Sequence, residues 1–266
     1  MQNDSQNLLT RTGRSTTAAV TELGYQASLL AESLRWICAG ALRSQPVRAH
    51  QVVTQMAVTG LQAIPIVAIL AMVIGLMLAI QGIHTLRAFG AESQVVVGIA
   101  LAVTREFAPL ITGILVAGRT GSALAAQVGS MRISQEIDAL RVLGVHPVRY
   151  LVAPPLLAML VMLPCLTVLA DVMGLLGGGV FCNLELNMSL PGYFERVREV
   201  LDISDVLQGV LKSLLFAVIV TLVGVSNGFS VTGGAEGVGR ATTRAVVQSI
   251  SYIIVADMLL TFFANR

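Results

Sequence analysis

Ser226 stands in the string GVSNG at 224–228, which matches the pattern of a nucleophile elbow. An elbow needs a strand leading into a helix, so that the hydroxyl is presented on a sharp turn. Here the pentapeptide ends an apolar helical run. His50 and His84 fall at opposite ends of one long apolar run and His146 at the start of another, so no triad forms around Ser226. The run GGAEGVGR at 233–240 is glycine-rich, yet no strand precedes it and no Lys-Ser/Thr pair is present to hold a nucleotide. It reads as a tight turn. Cys38, Cys165 and Cys182 are too far apart for a metal or redox motif and count as small apolar residues. An intramembrane enzyme would need a nucleophile or metal set facing one cavity, and none is visible. The expectation is a non-catalytic chain with no metal ligands, no cofactor of its own and no means of hydrolysing ATP.

The chemistry on offer is electrostatic. Arg105, Glu106, Lys212 and Asp257 lie inside long apolar runs. Each costs several kcal/mol if it faces lipid, so they are expected to face one another or a wet cavity. At about 1.5 Å per residue, Lys212 and Asp257 lie roughly 10 Å below the outer end of their helices, and Arg105 and Glu106 roughly 17 Å. Adjacent residues diverge by about 100°, so Arg105 and Glu106 cannot both serve one neighbour. Pro109 has no N–H to offer the carbonyl of Arg105, which leaves that oxygen free in mid-membrane. Two compatible readings stand side by side: a polar lining for a substrate path, and interhelical ion pairs that fix packing. Asp171 is a weaker candidate of the same kind.

The elements that must hold these groups follow from composition. Of 266 residues, 55% are hydrophobic and 12% charged, and mean hydropathy is strongly positive. A soluble domain of this length cannot hide so much apolar surface behind so few charges. About 20 residues already cross a bilayer, and the alternating segments of about ten residues that mark a β-barrel are missing. The fold class expected is an all-α integral membrane protein with five spans, at 51–82, 94–118, 148–181, 206–228 and 242–264. Pro65 calls for a tilt or bend in the first, and the second continues as helix beyond the membrane. Residues 1–25 are polar and lack a signal-peptide h-region. Over 26–45, Leu30, Leu34, Ile37 and Ala41 form an apolar stripe, with Trp36 suited to the interface. That fits a helix lying in the membrane surface, and a short helix packed on the spans fits nearly as well. Gly174, Gly177, Gly178 and Gly179 suit close helix packing, as does the series Gly118, Ser122, Ala126 and Ser130.

Basic residues set the orientation. Arg11, Arg14, Arg35, Arg43 and Arg48 precede the first span. Arg119, Arg132, Arg141 and Arg149 flank the central polar segment, and Arg240 and Arg244 precede the last span. Arg87, Arg196, Arg198 and Arg266 lie opposite, accompanied by Glu185, Glu195, Glu199, Asp202 and Asp205. The positive-inside rule puts the N-terminus and 118–147 in the cytosol. Residues 183–205 and the C-terminus then lie outside, with PGYFERVREVL as an amphipathic helix on the outer surface.

The cytosolic segment Gly118 to Gly144 reads GRTGSALAAQVGSMRISQEIDALRVLG. Ile133, Ile137 and Leu140 share a helical face, while Arg132, Gln135, Glu136, Asp138 and Arg141 cover the remainder. Ser134 is placed as an N-cap, Glu136 adds negative charge in the first turn, Arg141 lies in the last, and Gly144 suits C′. A short capped helix between spans is built to be gripped by a soluble partner.

The stretch REFAPLITGILVAGRTGSALAAQVGSMRISQEIDALRVLGVHPVRYLVAP resembles the signature region of the MlaE/YrbE family, permease subunits of lipid-transporting ABC systems. LKSLLFAVIVTLVGVSNGFSVTGGAEGVGRATTRAVVQSI resembles the family's last two spans, and Asp257 followed by MLLT fits its end. The resemblance implies a homodimer of five-span subunits in the bacterial inner membrane, each with an N-terminal interfacial (elbow) helix and a cytosolic coupling helix. It implies a cytosolic ABC ATPase dimer that uses ATP and Mg, a periplasmic MCE-domain ring and, in one branch, a small STAS-domain protein on the ATPase. The implied cargo is glycerophospholipid in an outward-open cavity, in the service of outer-membrane lipid asymmetry. A Mce-type importer of sterols or fatty acids is the alternative. No nucleic acid is implied. Family cavity positions fall on Arg105, Glu106, Lys212 and Asp257, and the coupling helix on Ser134 to Leu143. This chain departs from the family at Gln127, where Glu is usual, at Gln135–Glu136, where Glu-Gln is common, and at Pro155, where Arg is usual.

The expected mechanism has closure of the ATPases push on Ser134, Gln135, Glu136, Ile137, Asp138, Leu140 and Arg141. The push travels along the second span and narrows the cavity, whose apolar walls include Leu76, Leu78 and Ile80. An ion-coupled secondary transporter also uses buried charges, but it would normally show paired repeats and has no need of an ATPase-gripping helix.

Overall fold

The computed structural model describes the backbone of residues 2–39 and 49–264, and the side chains of Thr17, 20–38 and 49–264. Ala41, Arg43, Arg48 and Arg266, and the side chains of Arg11 and Arg14, lie outside the described residues. Helix α1 spans Gln2–Ala39, so the helix begins well ahead of the expected residue 26. The first span is built from α2 (Ala49–Thr59) and α3 (Ile64–Arg87), joined by a 3-10 turn at Leu61–Ala63. That offset accommodates Pro65, which falls in the first turn of α3 where its missing N–H costs nothing. The second is one rod, Glu92–Ile133, made of α4 (Val95–Ala102), α5 (Ala108–Val116) and α6 (Ser122–Ile133), with π-turns at Val103–Phe107 and Ala117–Gly121.

Helix α7 (Glu136–Val142) follows, then α8 (Pro147–Leu151) leads into α9 (Ala153–Leu186). Helix α10 (Leu190–Val200) links α9 to α11 (Ile203–Phe229), and α12 (Gly234–Ala264) closes the bundle. Among the described residues five helices are long and apolar enough to cross a membrane. The main core runs between α3, α4, α5, α9 and α11.

Glycine decides how closely the spans approach. A Cβ on Gly75 would overlap the carbonyl of Gly174, and one on Gly177 the carbonyl of Met72, so α3 and α9 meet backbone to backbone. Overpacking a core costs about 1–3 kcal/mol when side chains can give. Here backbone is the obstacle. Gly177→Val is therefore expected to reach or exceed the top of that range and lower the Tm of the detergent-purified protein. Gly98→Ala, whose Cβ would meet nothing within 4 Å, is expected to leave Tm unchanged.

The second small-residue seam differs from the one the sequence suggests. Gly118 has nothing within 4 Å of its Cβ position, and Ser130 is exposed. The packed face is rotated to Gly121, Ala125 and Val128, which meet Gly224 and Gly228 of α11. Rotation of about 100° per residue makes neighbouring four-residue series easy to confuse. The seam also accounts for GVSNG. Its glycines admit α6, while the Ser226 hydroxyl donates to the Val223 carbonyl at 3.2 Å and accepts from Gln26 Nε2 at 3.3 Å.

Two surface helices pack more deeply than their patterns imply. Tyr193 anchors α10 in the bundle, fully buried against Gly178 and Gly179, so this helix does more than rest on a surface. Burial pushes the Tyr193 phenol well above its ordinary pKa. On α1, Gln26, Leu29 and Ser33 are buried, and Leu29 joins a cluster with Val128, Ile137, Val148, Leu151 and Val225. Leu34 of the expected stripe is exposed.

Candidate functional site: a charged cluster and an exposed short helix

Pro109 shapes the charged cluster. It sits in the first turn of α5, and the π-turn before it has the Ala108 N–H reach back to Val103. The Arg105 carbonyl left without its helical donor accepts from Lys212 Nζ at 3.0 Å. The same ammonium lies 2.6 Å from Glu106 Oε2, 2.9 Å from Asp257 Oδ1 and 2.8 Å from Thr261 Oγ1. Thr261 in turn donates to Glu106 Oε1 at 3.0 Å. Lys212 thus ties spans two, four and five together at one point. The long Lys212 stem and the Glu106 side chain bridge the depth difference that helix rise alone predicts.

Arg105 turns the other way, as the angle between adjacent residues requires. Its Nη2 is 2.6 Å and its Nε 2.8 Å from Asp205 Oδ1. Asp205 serves twice, because its Oδ2 accepts the Asp202 N–H at 3.0 Å in a reciprocal capping box that starts α11. Asp205 and Thr261 are members of the cluster that the sequence pattern does not place there. The signal for Asp205 was present in the Asp202–Asp205 spacing; Thr261 carried none.

Exposure divides the cluster by role. The side chain of Lys212 is 1% exposed, Asp205 5% and Asp257 10%, whereas Arg105 and Glu106 are 35% and 33% exposed. The buried members tie the spans together, while Arg105 and Glu106 remain about one third exposed. With Arg105 and Lys212 against Glu106, Asp205 and Asp257, the group carries one net negative charge when all are ionised. Asp171 is buried in α9 and takes no part in these ion pairs; its Oδ1 has no hydrogen-bond partner among the described residues.

The three proposed apolar wall residues do not share one wall. Leu78 packs against the core, Leu76 lies where α3 meets Gly177, and Ile80 alone is exposed. Residues two apart on a helix point about 200° apart, so Leu78 cannot share a face with Leu76 and Ile80. The open face of α3 is instead Ile66, Ile69, Val73, Met77 and Ile80.

At the opposite end stands α7. Ser134 is not its N-cap: Ser134 ends α6, donating to the Ser130 carbonyl at 3.0 Å and lying 2.7 Å from Glu136 Oε1. Gln135 takes the capping position with a left-handed backbone at φ 59°, a conformation uncommon outside glycine and asparagine. The two helices thus join at a kink that the continuous sequence pattern conceals. Ile137 is the buried anchor, Leu140 is half-buried, and Ile133, on the other side of the kink, is exposed. Gly144 takes the C′ position at φ 73°, and Val145 and Gly144 donate to Leu140 and Arg141 in a Schellman arrangement. Asp138 Oδ1 lies 3.6 Å from Arg132 Nη1 and 3.2 Å from Arg141 Nη1. Beyond them Val142 and Leu143 stand 88% and 75% exposed, an apolar tip that helical periodicity does not mark because it lies off the buried face.

The sequence model of the Permease MlaE family matches residues 52–263. A probable ABC transporter permease protein of Rickettsia typhi is 32% identical over 226 residues, covering 85% of this chain and 87% of that protein. The intermembrane phospholipid transport system permease protein MlaE of Haemophilus influenzae is 33% identical over 226 residues, 84% of this chain and 87% of that protein. The chloroplastic protein TRIGALACTOSYLDIACYLGLYCEROL 1 of Arabidopsis thaliana is 34% identical over 209 residues, 79% of this chain and 60% of that protein. The match takes in the charged cluster, the kinked junction and α7 together, and with five helices fit to span a bilayer it assigns the chain to the MlaE permease family of multi-pass membrane proteins.

Proposed function

We propose that this chain is the membrane subunit of an ABC transporter that moves glycerophospholipid between the inner membrane and a periplasmic MCE-domain carrier, sustaining outer-membrane lipid asymmetry. The supporting observation is a two-ended layout. An exposed, anchored helix with the apolar tip Val142–Leu143 occupies one end, and Arg105 and Glu106 are reachable on a cluster toward the other. The names of the Rickettsia and Haemophilus relatives point the same way.

In this reading α7 and the preceding Ser134 and Gln135 seat in a cytosolic ATPase dimer, which binds ATP and Mg and does the hydrolysis. The N-terminus is cytosolic and the C-terminus periplasmic. Two copies of the chain form the lipid path between them, a periplasmic MCE-domain ring receives or delivers the lipid, and a STAS-domain protein sits on the ATPase. Motion at α7 reaches the charged cluster along the single rod Glu92–Ile133, which carries α6 at one end and Arg105 and Glu106 toward the other. A lipid phosphate meets Arg105, and the acyl chains lie on the open face of α3.

Purification of the chain in mild detergent, followed by mass spectrometry of co-purifying proteins and retained lipids, tests this. The expected result is an ABC ATPase in stoichiometric amount and bound glycerophospholipid. Retained sterols or fatty acids would assign the other lipid class, and a pure chain with no ATPase would contradict the proposal.

A further inference from the structure

The α7 end holds a second polar site, apart from the charged cluster around Lys212. A cavity of about 630 Å³ opens between α1, the end of α6, the α7–α8 turn and the last turn of α11. Small-molecule sites fall within about 300–1,000 Å³. Its polar wall carries Tyr25, Ser28, Arg132, Arg141 and His146. Glu32 is the one acid lining it among the described residues, and its Oε1 lies 3.1 Å from His146 Nε2.

The two arginines already form an anion clamp. Their Nη1 atoms are 3.6 and 3.2 Å from one oxygen of Asp138, which places them no more than about 7 Å apart. Asp138 is half-exposed, and surface ion pairs of this kind contribute only about 0–1 kcal/mol. A phosphate ester offers more oxygens at higher charge density and suits paired guanidiniums better than a single carboxylate oxygen does. Tyr25 adds a hydroxyl donor beside them. Burial raises its pKa against the opposing pull of Arg141, so the proton stays in place.

The other wall is apolar: Pro147 and Val148 begin the third span and Phe229 ends the fourth. The cavity therefore lies where one end of each of these two apolar helices meets the polar α7 segment. Trp36, on α1, has its ring 5.4 Å from that of His146 and lies under the Arg149 guanidinium at 5.9 Å. Tryptophan favours the headgroup level of a membrane. We propose that this cavity binds the phosphate ester head of an anionic amphiphile, with Arg132 and Arg141 as the clamp and the Pro147–Phe229 wall taking its apolar portion. Binding there fastens α1 to the base of α7, whichever lipid is transported.

Trp36 is the only tryptophan in the chain and its ring touches His146 of the cavity wall, so its emission reports on that wall through this contact. The full chain is placed in phosphatidylcholine nanodiscs with increasing phosphatidylglycerol and, in a second arm, in pure phosphatidylcholine nanodiscs titrated with glycerol 3-phosphate. The expected result is a saturable change in emission whose midpoint rises by about tenfold or more in Arg132→Gln/Arg141→Gln. Ser28→Phe, which fills the cavity and keeps both arginines, is expected to abolish it. Saturation with phosphatidylglycerol identifies a membrane lipid as the source; saturation with glycerol 3-phosphate alone identifies a soluble phosphate ester in the same clamp. A response that never saturates, that keeps the wild-type midpoint in Arg132→Gln/Arg141→Gln, or that persists in Ser28→Phe overturns the proposal.

Discussion

Lys212→Met is expected to destabilise the folded protein by about 3–5 kcal/mol, more than any other single change in the charged cluster. The variant keeps the volume of the stem but removes the one cation that lies between Glu106 and Asp257. It also strips the Arg105 carbonyl of the donor that replaces the N–H missing from Pro109. An uncompensated buried carboxylate is far costlier than a missing ion pair, because desolvation of the charge remains while its partner is gone. Adding Glu106→Gln and Asp257→Asn to Lys212→Met should therefore restore most of the lost stability. Thermal unfolding of the three proteins in one detergent measures both effects. A Lys212→Met protein within about 1 kcal/mol of wild type would show that these spans are not held by the lysine.

The second large effect is functional. Asp138→Ala/Leu140→Ala is expected to leave a folded protein whose partner ATPase hydrolyses ATP without moving lipid. Ile137, the buried anchor, is untouched, so α7 stays attached to the bundle. Asp138 is lost as the acid that holds Arg132 and Arg141, and Leu140 as the half-buried contact beneath the exposed tip. Lipid transfer should fall at least about tenfold, which corresponds to about 1.4 kcal/mol of coupling. The assignment of α7 fails if this variant transports lipid at the wild-type rate.

Much of the architecture was legible in the residues. Long apolar runs locate membrane helices because the bilayer enforces a length that no soluble core requires. The four intramembrane charges marked the cluster because the energetic cost of stranding them narrows where they can point. The missing N–H of Pro109 even identified the carbonyl that Lys212 occupies. What resisted were features set by rotation about a helix axis. The small-residue seam at Gly121 and Ala125 differs from the neighbouring Gly118 series only by rotation about the helix axis, and hydropathy does not resolve such an angle. Leu76, Leu78 and Ile80 differ in exposure for a related reason, since three nearby apolar residues on a helix need not share a face.

Ser134 failed for another reason. A serine before an apolar-periodic run suits an N-cap, yet here it also continues the preceding helix, and the left-handed Gln135 divides the two. Asp205 lay hidden because one carboxylate both caps a helix and pairs across to Arg105, and only the first role has a sequence spacing.

Action of ATP hydrolysis through α7 on lipid held at the charged cluster is measured by reconstituting the chain with its ATPase in proteoliposomes and following fluorescent phospholipid passed to a soluble MCE-domain protein, with ATP and with a non-hydrolysable analogue. The expected result is movement that requires hydrolysis and is lost in Asp138→Ala/Leu140→Ala while ATP turnover continues. Equal lipid movement with ATP and the analogue, or full movement in the variant, would contradict it.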